Sequence, residues 1–156
     1  MKGYPKSFYP VLMITVLLLL VTGGLLIPTL LDVNLEWSVP WRLHGDWQIS
    51  VSAMHTTVSF MMIAIVGSLW NIHMRAGWRH RKHWRSGISL VVLMFYLLVT
   101  AIGIYYLSNE RLMIFAAITH LVAGLLVFAL FMYHAIIGYQ SVQHHRRIAR
   151  KVSSEL

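Results

Sequence analysis

Four histidines stand where titratable side chains are costly. His55, His73, His120 and His134 fall inside long apolar runs. A polar or ionisable group placed at membrane depth is expensive, and such groups usually serve a function. No Asp, Glu, Lys or Arg occupies the middle of any of these runs. At 100° per residue, the eighteen residues from His55 to His73 return to one helix face. The fourteen residues from His120 to His134 land about 40° away, still on one face. Each run therefore points two imidazoles in nearly one direction. Two imidazoles opposed across a bundle suit a b-type haem, which takes an axial nitrogen on each side of a flat apolar macrocycle and needs no Cys. The chain contains none.

The elements that position these residues are membrane spans. The 156 residues are 58% hydrophobic and only 12% charged, with mean hydropathy +0.66. An ordinary soluble domain carries about 25% charged residues, so this composition leaves too few polar groups to cover a water-facing surface. Disorder is excluded by the same apolar content. A hydrocarbon core of about 30 Å needs roughly 20 apolar helical residues. Four stretches qualify: residues 8–31, 47–73, 87–107 and 112–139. The expected fold is an all-α integral membrane bundle of four transmembrane helices, forming one domain over residues 1–156 with a basic tail at 140–156. The alternating pattern of a β-barrel is missing. The first run reads as a retained helix, because it is too long for a signal-peptide core and no small-x-small cleavage site follows it.

Lys and Arg orient the bundle. Lys2 and Lys6 precede the first span, Arg75, Arg79, Arg81, Lys82 and Arg85 lie between the second and third, and Arg146, Arg147, Arg150 and Lys151 follow the fourth. Only Arg42 and Arg111 fall on the other side, together with Asp32, Glu36, Asp46 and Glu110. The positive-inside rule then places both termini in the cytoplasm. These short clusters beside the spans fit anionic lipid headgroups rather than nucleic acid. Trp37, Trp41 and Trp47 mark the outer interface, and Trp70, Trp78 and Trp84 the inner one. The expected localisation is multi-pass in the bacterial inner membrane.

Depth pairs the histidines. The second and fourth spans run the same way, with His55 and His120 each about eight residues in, while His73 and His134 approach the inner ends. The expected couples are His55 with His120 and His73 with His134, one haem iron for each couple. A rise of 1.5 Å per residue separates the two layers by about 21 Å on the fourth span and about 27 Å on the second. Unequal tilt or a loosened helix end at Trp70–Asn71 would absorb the difference. Gly67, Gly103, Gly124 and Gly138 offer either room for a porphyrin edge or close helix packing. Thr119, Ser52 and Ser59 are candidate hydrogen-bond partners for the imidazoles. Asn71, Tyr96, Tyr105, Tyr106 and Tyr133 are candidates to touch propionates or a quinone, although interface anchoring explains the tyrosines equally simply. His44, His80, His83, His144 and His145 read as solvated or headgroup-level.

The segments His55…Gly67…Asn71-Ile72-His73-Met74-Arg75-Ala76-Gly77-Trp78-Arg79, Ser86-Gly87, Thr100…Gly103-Ile104-Tyr105-Tyr106-Leu107 and His120…Gly124…His134 resemble the four-helix dihaem cytochromes b, closest to the small bacterial cytochrome b561-like membrane proteins. The likeness covers about residues 44–140. It implies two haem b groups held by His55, His73, His120 and His134. It also implies electron transfer between quinone or quinol and a periplasmic or membrane redox subunit, with a bound quinone as a further ligand. The first span lacks the His found in the formate dehydrogenase subunits of this kind. The competing expectations are a histidine-based proton or metal transporter, and a cofactor-free anchor for a soluble oxidoreductase. The first usually adds an intramembrane carboxylate and broken helices. The second leaves four imidazoles without a role. The chain has no nucleophile–base arrangement, phosphate loop or flavin motif, so quinone oxidoreduction is the only chemistry expected of it.

Overall fold

The computed structural model describes residues 4–79 and 84–154. Lys2, His80, Arg81, Lys82 and His83 lie outside the described residues, as do the side chains of Asn71, His144, His145, Arg146, Arg150 and Lys151. The described chain is all-helical between its loops, without strands. Helix α1 spans Phe8–Leu35, α2 Asp46–Leu69, α3 Arg75–Arg79, α4 Trp84–Tyr106 and α5 Glu110–Ser154. A single π-helical turn, Trp70–Met74, joins α2 to α3. Four of these helices, α1, α2, α4 and α5, are long and apolar enough to cross a membrane.

The ends of the elements have local causes. On α1, Glu36 adopts a left-handed conformation (φ 55°) and the chain closes with a bond from the Trp37 amide to the Leu31 carbonyl. The helix therefore runs four residues past the expected boundary at 31. It also passes through Pro28, which cannot donate to the Gly24 carbonyl one turn earlier. Gly45, at φ +57°, starts α2, and Asp46 in its first turn complements the positive end of the helix. The Asn109 side chain accepts from the Leu112 amide at 3.1 Å and caps α5. This helix does not end at 139. It continues as helix to Ser154, carrying the basic segment with it. At 1.5 Å per residue its 45 residues extend about 67 Å, well beyond a bilayer core.

Packing follows two hairpins. Helix α1 lies along α2, and α4 along α5, with α1 also touching α5. The backbones of α2 and α5 are not among the closely packed pairs. On α1 the buried Leu12, Thr15 and Thr22 form one stripe, while Val11, Ile14, Leu17, Val21 and Leu25 remain exposed on the others. In a membrane span an exposed apolar face is a lipid face. Helix α5 buries small residues, Ala116, Ala117 and Ala123. A Cβ on Gly103 of α4 would come within 3.1 Å of the Ala116 methyl, so Gly103 serves close helix packing. All six Trp are exposed, in two groups at the two ends of the bundle. The end formed by residues 36–45 and 107–109 is called the loop end below, and the opposite one the terminal end.

Candidate functional site

Three of the four histidines are held in the same way. Nδ1 of His55 lies 2.8 Å from the Thr22 hydroxyl of α1. Nδ1 of His120 lies 2.9 Å from the Thr100 hydroxyl of α4. Nδ1 of His134 lies 2.8 Å from the Ser86 hydroxyl of α4. The hydroxyl always belongs to a helix that carries no intramembrane His.

For the first two, the proton can be placed. The Thr22 hydroxyl has one hydrogen, and it points at the Leu18 carbonyl 2.6 Å away. Toward His55, Thr22 must therefore act as acceptor, so His55 carries its proton on Nδ1. The Thr100 hydroxyl likewise donates to its own helix, to Tyr96 O at 2.9 Å and Leu97 O at 3.1 Å. His120 must then also be the Nδ1–H tautomer. In that tautomer Nε2 of each ring keeps its lone pair. This is the state a metal-binding imidazole requires: one nitrogen donating to a fixed acceptor, the other bare.

Glycines make these approaches possible. A Cβ on Gly23 would meet Cε1 of His55 at 3.2 Å, and one on Gly87 would meet Cε1 of His134 at 3.8 Å. Each is the residue after the hydroxyl that binds the same ring, Thr22-Gly23 and Ser86-Gly87. On α5, Gly124 and Gly138 each follow a His by four residues and share its face. A Cβ at either would meet nothing within 4 Å, although both glycines are partly buried. Open space thus lies one turn beyond each α5 imidazole. Gly67, exposed on α2, likewise meets nothing.

The geometry forms two layers. Ser86 and Thr100 are fourteen residues apart on α4, as are His120 and His134 on the antiparallel α5. The two hydroxyl–imidazole contacts are therefore about 21 Å apart along both helices. In the terminal-end layer the His73 and His134 rings meet with centroids 5.9 Å apart and planes at 83°. A metal bonds an imidazole nitrogen at about 2.0 Å, so an in-line pair sharing one metal would have centroids about 6.4 Å apart. The observed spacing is close to that. The π-turn at Trp70–Met74 contains His73 and lies where a loosened end of the second span was expected. Its one inserted residue absorbs about 1.5 Å of the roughly 6 Å between the two depth scales. His73 itself is exposed, and the hydroxyl contacts belong to the other three rings. The loop-end layer holds His55 and His120 with their hydroxyl partners Thr22 and Thr100.

No group of three or more His, Asp or Glu side chains gathers anywhere among the described residues. A tetrahedral zinc site needs three or four protein ligands. Two nitrogens per layer match a metal that brings its other ligands with it.

The hydroxyl partners differ from those expected. Thr119 donates to Phe115 O at 2.8 Å and does not reach the neighbouring His120 ring. Ser59 donates to the His55 carbonyl, touching the main chain and not the imidazole. Ser52 makes no bond to His55 among the described residues. The real partners, Thr22, Ser86 and Thr100, were marked in the sequence only by the fourteen-residue spacing of Ser86 and Thr100, which mirrors that of His120 and His134. Tyr105 meets the Thr56 hydroxyl at 3.2 Å, and Tyr96, Tyr105, Tyr106 and Tyr133 are all exposed, as interface anchors are. Beside His73 an open groove of about 570 Å³ is lined by Ile72, Arg75, Ala76, Trp78 and Arg79. Comparison with known protein families, with characterised proteins and with solved structures finds no match to this chain.

Proposed function

We propose that the chain is a dihaem b-type cytochrome subunit that carries electrons across the bacterial inner membrane, between quinone or quinol and a partner redox protein. The observation that carries this reading is the shared anchoring of the imidazoles: Nδ1 of His55, His120 and His134 each meets a hydroxyl on a neighbouring helix. Gly124 and Gly138, where a Cβ would meet nothing within 4 Å, and the α2–α5 pair, whose backbones are not closely packed, support this reading.

His55 and His120 would hold the iron of the outer haem, and His73 and His134 that of the inner one. Bound haem supplies a one-electron iron couple. The chain's own residues perform the rest. Thr22, Thr100 and Ser86 fix the ring planes. At Thr22 and Thr100 the neutral hydroxyl accepts from the proton-bearing nitrogen without drawing the proton away, so His55 and His120 stay neutral ligands. The apolar walls of the bundle exclude water. The groove beside His73, with two arginines and Trp78, is the place in this reading for a quinone headgroup. Both termini face the cytoplasm, and the loop end, with Trp37, Trp41 and Trp47, faces a periplasmic partner.

The test is a visible spectrum of the purified chain with a pyridine haemochrome assay, made with ample haem supply. Two b-type haems per chain are expected. His120→Ala or His55→Ala should remove one haem and leave the other's spectrum unchanged. A colourless wild-type preparation would refute the reading and favour a histidine-lined proton or metal path.

A further inference from the structure

The four imidazoles are not held alike. His55, His120 and His134 are half-buried, and each ring meets a hydroxyl on a neighbouring helix. His73 is exposed, and its ring contact is the edge-on meeting with His134. The backbone beneath the rings differs in the same sense. His55 lies within α2, and His120 and His134 within α5, both long α-helices. His73 lies in the π-turn Trp70–Met74, which leads into the five-residue helix α3. Single π-turns inside helices are rare and concentrate at functional sites. No residue of α3 is buried, and segments with few buried contacts are the ones that open locally.

These differences decide which bond to a shared metal is the weaker one. An outer partner on the second ring nitrogen orients a ligating imidazole and raises its basicity, so the metal holds it more firmly. To release the metal and turn away, His134 must also leave Ser86, and His55 or His120 must leave Thr22 or Thr100. His73 has only to swing outward on an exposed turn.

We infer that His73 is an exchangeable ligand and that the terminal-end layer binds a neutral diatomic molecule in its place, an inference that rests on the dihaem reading. Carbon monoxide is the probe. On the reduced metal, the bond from iron to the His73 nitrogen breaks and a bond from iron to carbon forms. Both groups are neutral electron-pair donors, so no electron or proton is transferred. His134 stays bound with Ser86 behind it. The loop-end layer has a hydroxyl behind both rings and stays closed. Haem with an accessible axial position takes diatomic ligands, whereas two firm axial ligands leave it to electron transfer.

The test uses the full-length purified chain, reduced with dithionite and exposed to carbon monoxide. Difference spectra should show half of the total haem binding the gas. In His55→Ala, which keeps only the inner haem, all of it should bind. Photolysis of the complex then exposes the iron–histidine stretching band of the remaining ligand to resonance Raman spectroscopy. Ser86→Ala should shift that band, because Ser86 meets the His134 ring. If Ser86→Ala fails to keep its inner haem, the His55→Ala spectra decide the case. Binding to neither haem or to both overturns the inference. So does a band that Ser86→Ala leaves in place, since His134 is then not the ring that stays. A wild-type chain with two haems and no carbon monoxide adduct leaves the dihaem reading standing, whereas a wild-type chain without haem overturns that reading and this inference with it.

Discussion

A hydroxyl that spends its one hydrogen on its own helix can only accept from a neighbour. That rule sets the proton position at His55 and His120, and it makes the contact testable. Thr100→Val keeps the shape but leaves the His120 Nδ1–H without an acceptor. The unmet donor should cost about 1–3 kcal/mol, read as a lower melting temperature or a lower denaturant midpoint. Thr100→Ser should recover most of that loss. In the dihaem reading, Thr100→Val should also shift the midpoint potential of the outer haem and not that of the inner one. The histidines themselves were legible in the sequence, because four imidazoles confined to two apolar runs are far more than helix packing calls for. Their hydroxyl partners were not. The spans contain many Ser and Thr, nearly all of which bond to their own backbone, and only a helix-to-helix register separates Thr100 from Thr119.

Between the residues and the bundle, the π-turn at Trp70–Met74 has the largest effect. His73 lies within it and meets the His134 ring, although the two histidine spacings differ by four residues. In the dihaem reading, His73→Ala removes the ring that lies in this turn against His134. The expected result is loss of the inner haem with the outer one retained, read from haem stoichiometry and spectra. The tension in depth was visible in the sequence, and so was its location near Trp70–Asn71. That a π-turn forms there depends on packing that local propensity does not encode. Span existence was legible from hydropathy. Span ends were less so, since helix α5 continues to Ser154 after its apolar run stops and α1 passes Pro28 before it ends. Hydropathy reports where lipid is tolerated, and backbone hydrogen bonding decides where a helix stops.

At the scale of the whole molecule, orientation follows from charge. The chain has no Cys, so single reporters can be introduced without background. Ser108→Cys at the loop end should react with a membrane-impermeant maleimide in intact cells after the outer membrane is permeabilised. Ser153→Cys should react only once the inner membrane is broken. The reverse pattern would place the termini outside and contradict the charge-based orientation.

The hydroxyl contacts have one more consequence. Thr22–His55 lies within the first helical hairpin, and both Thr100–His120 and Ser86–His134 lie within the second. Neither hairpin borrows from the other to aim its rings. Each hairpin thus aims its own rings, while the two are joined elsewhere, by α1 against α5 and by the Thr56–Tyr105 hydroxyl contact. In the dihaem reading, the rings of each hairpin are therefore oriented without help from the other.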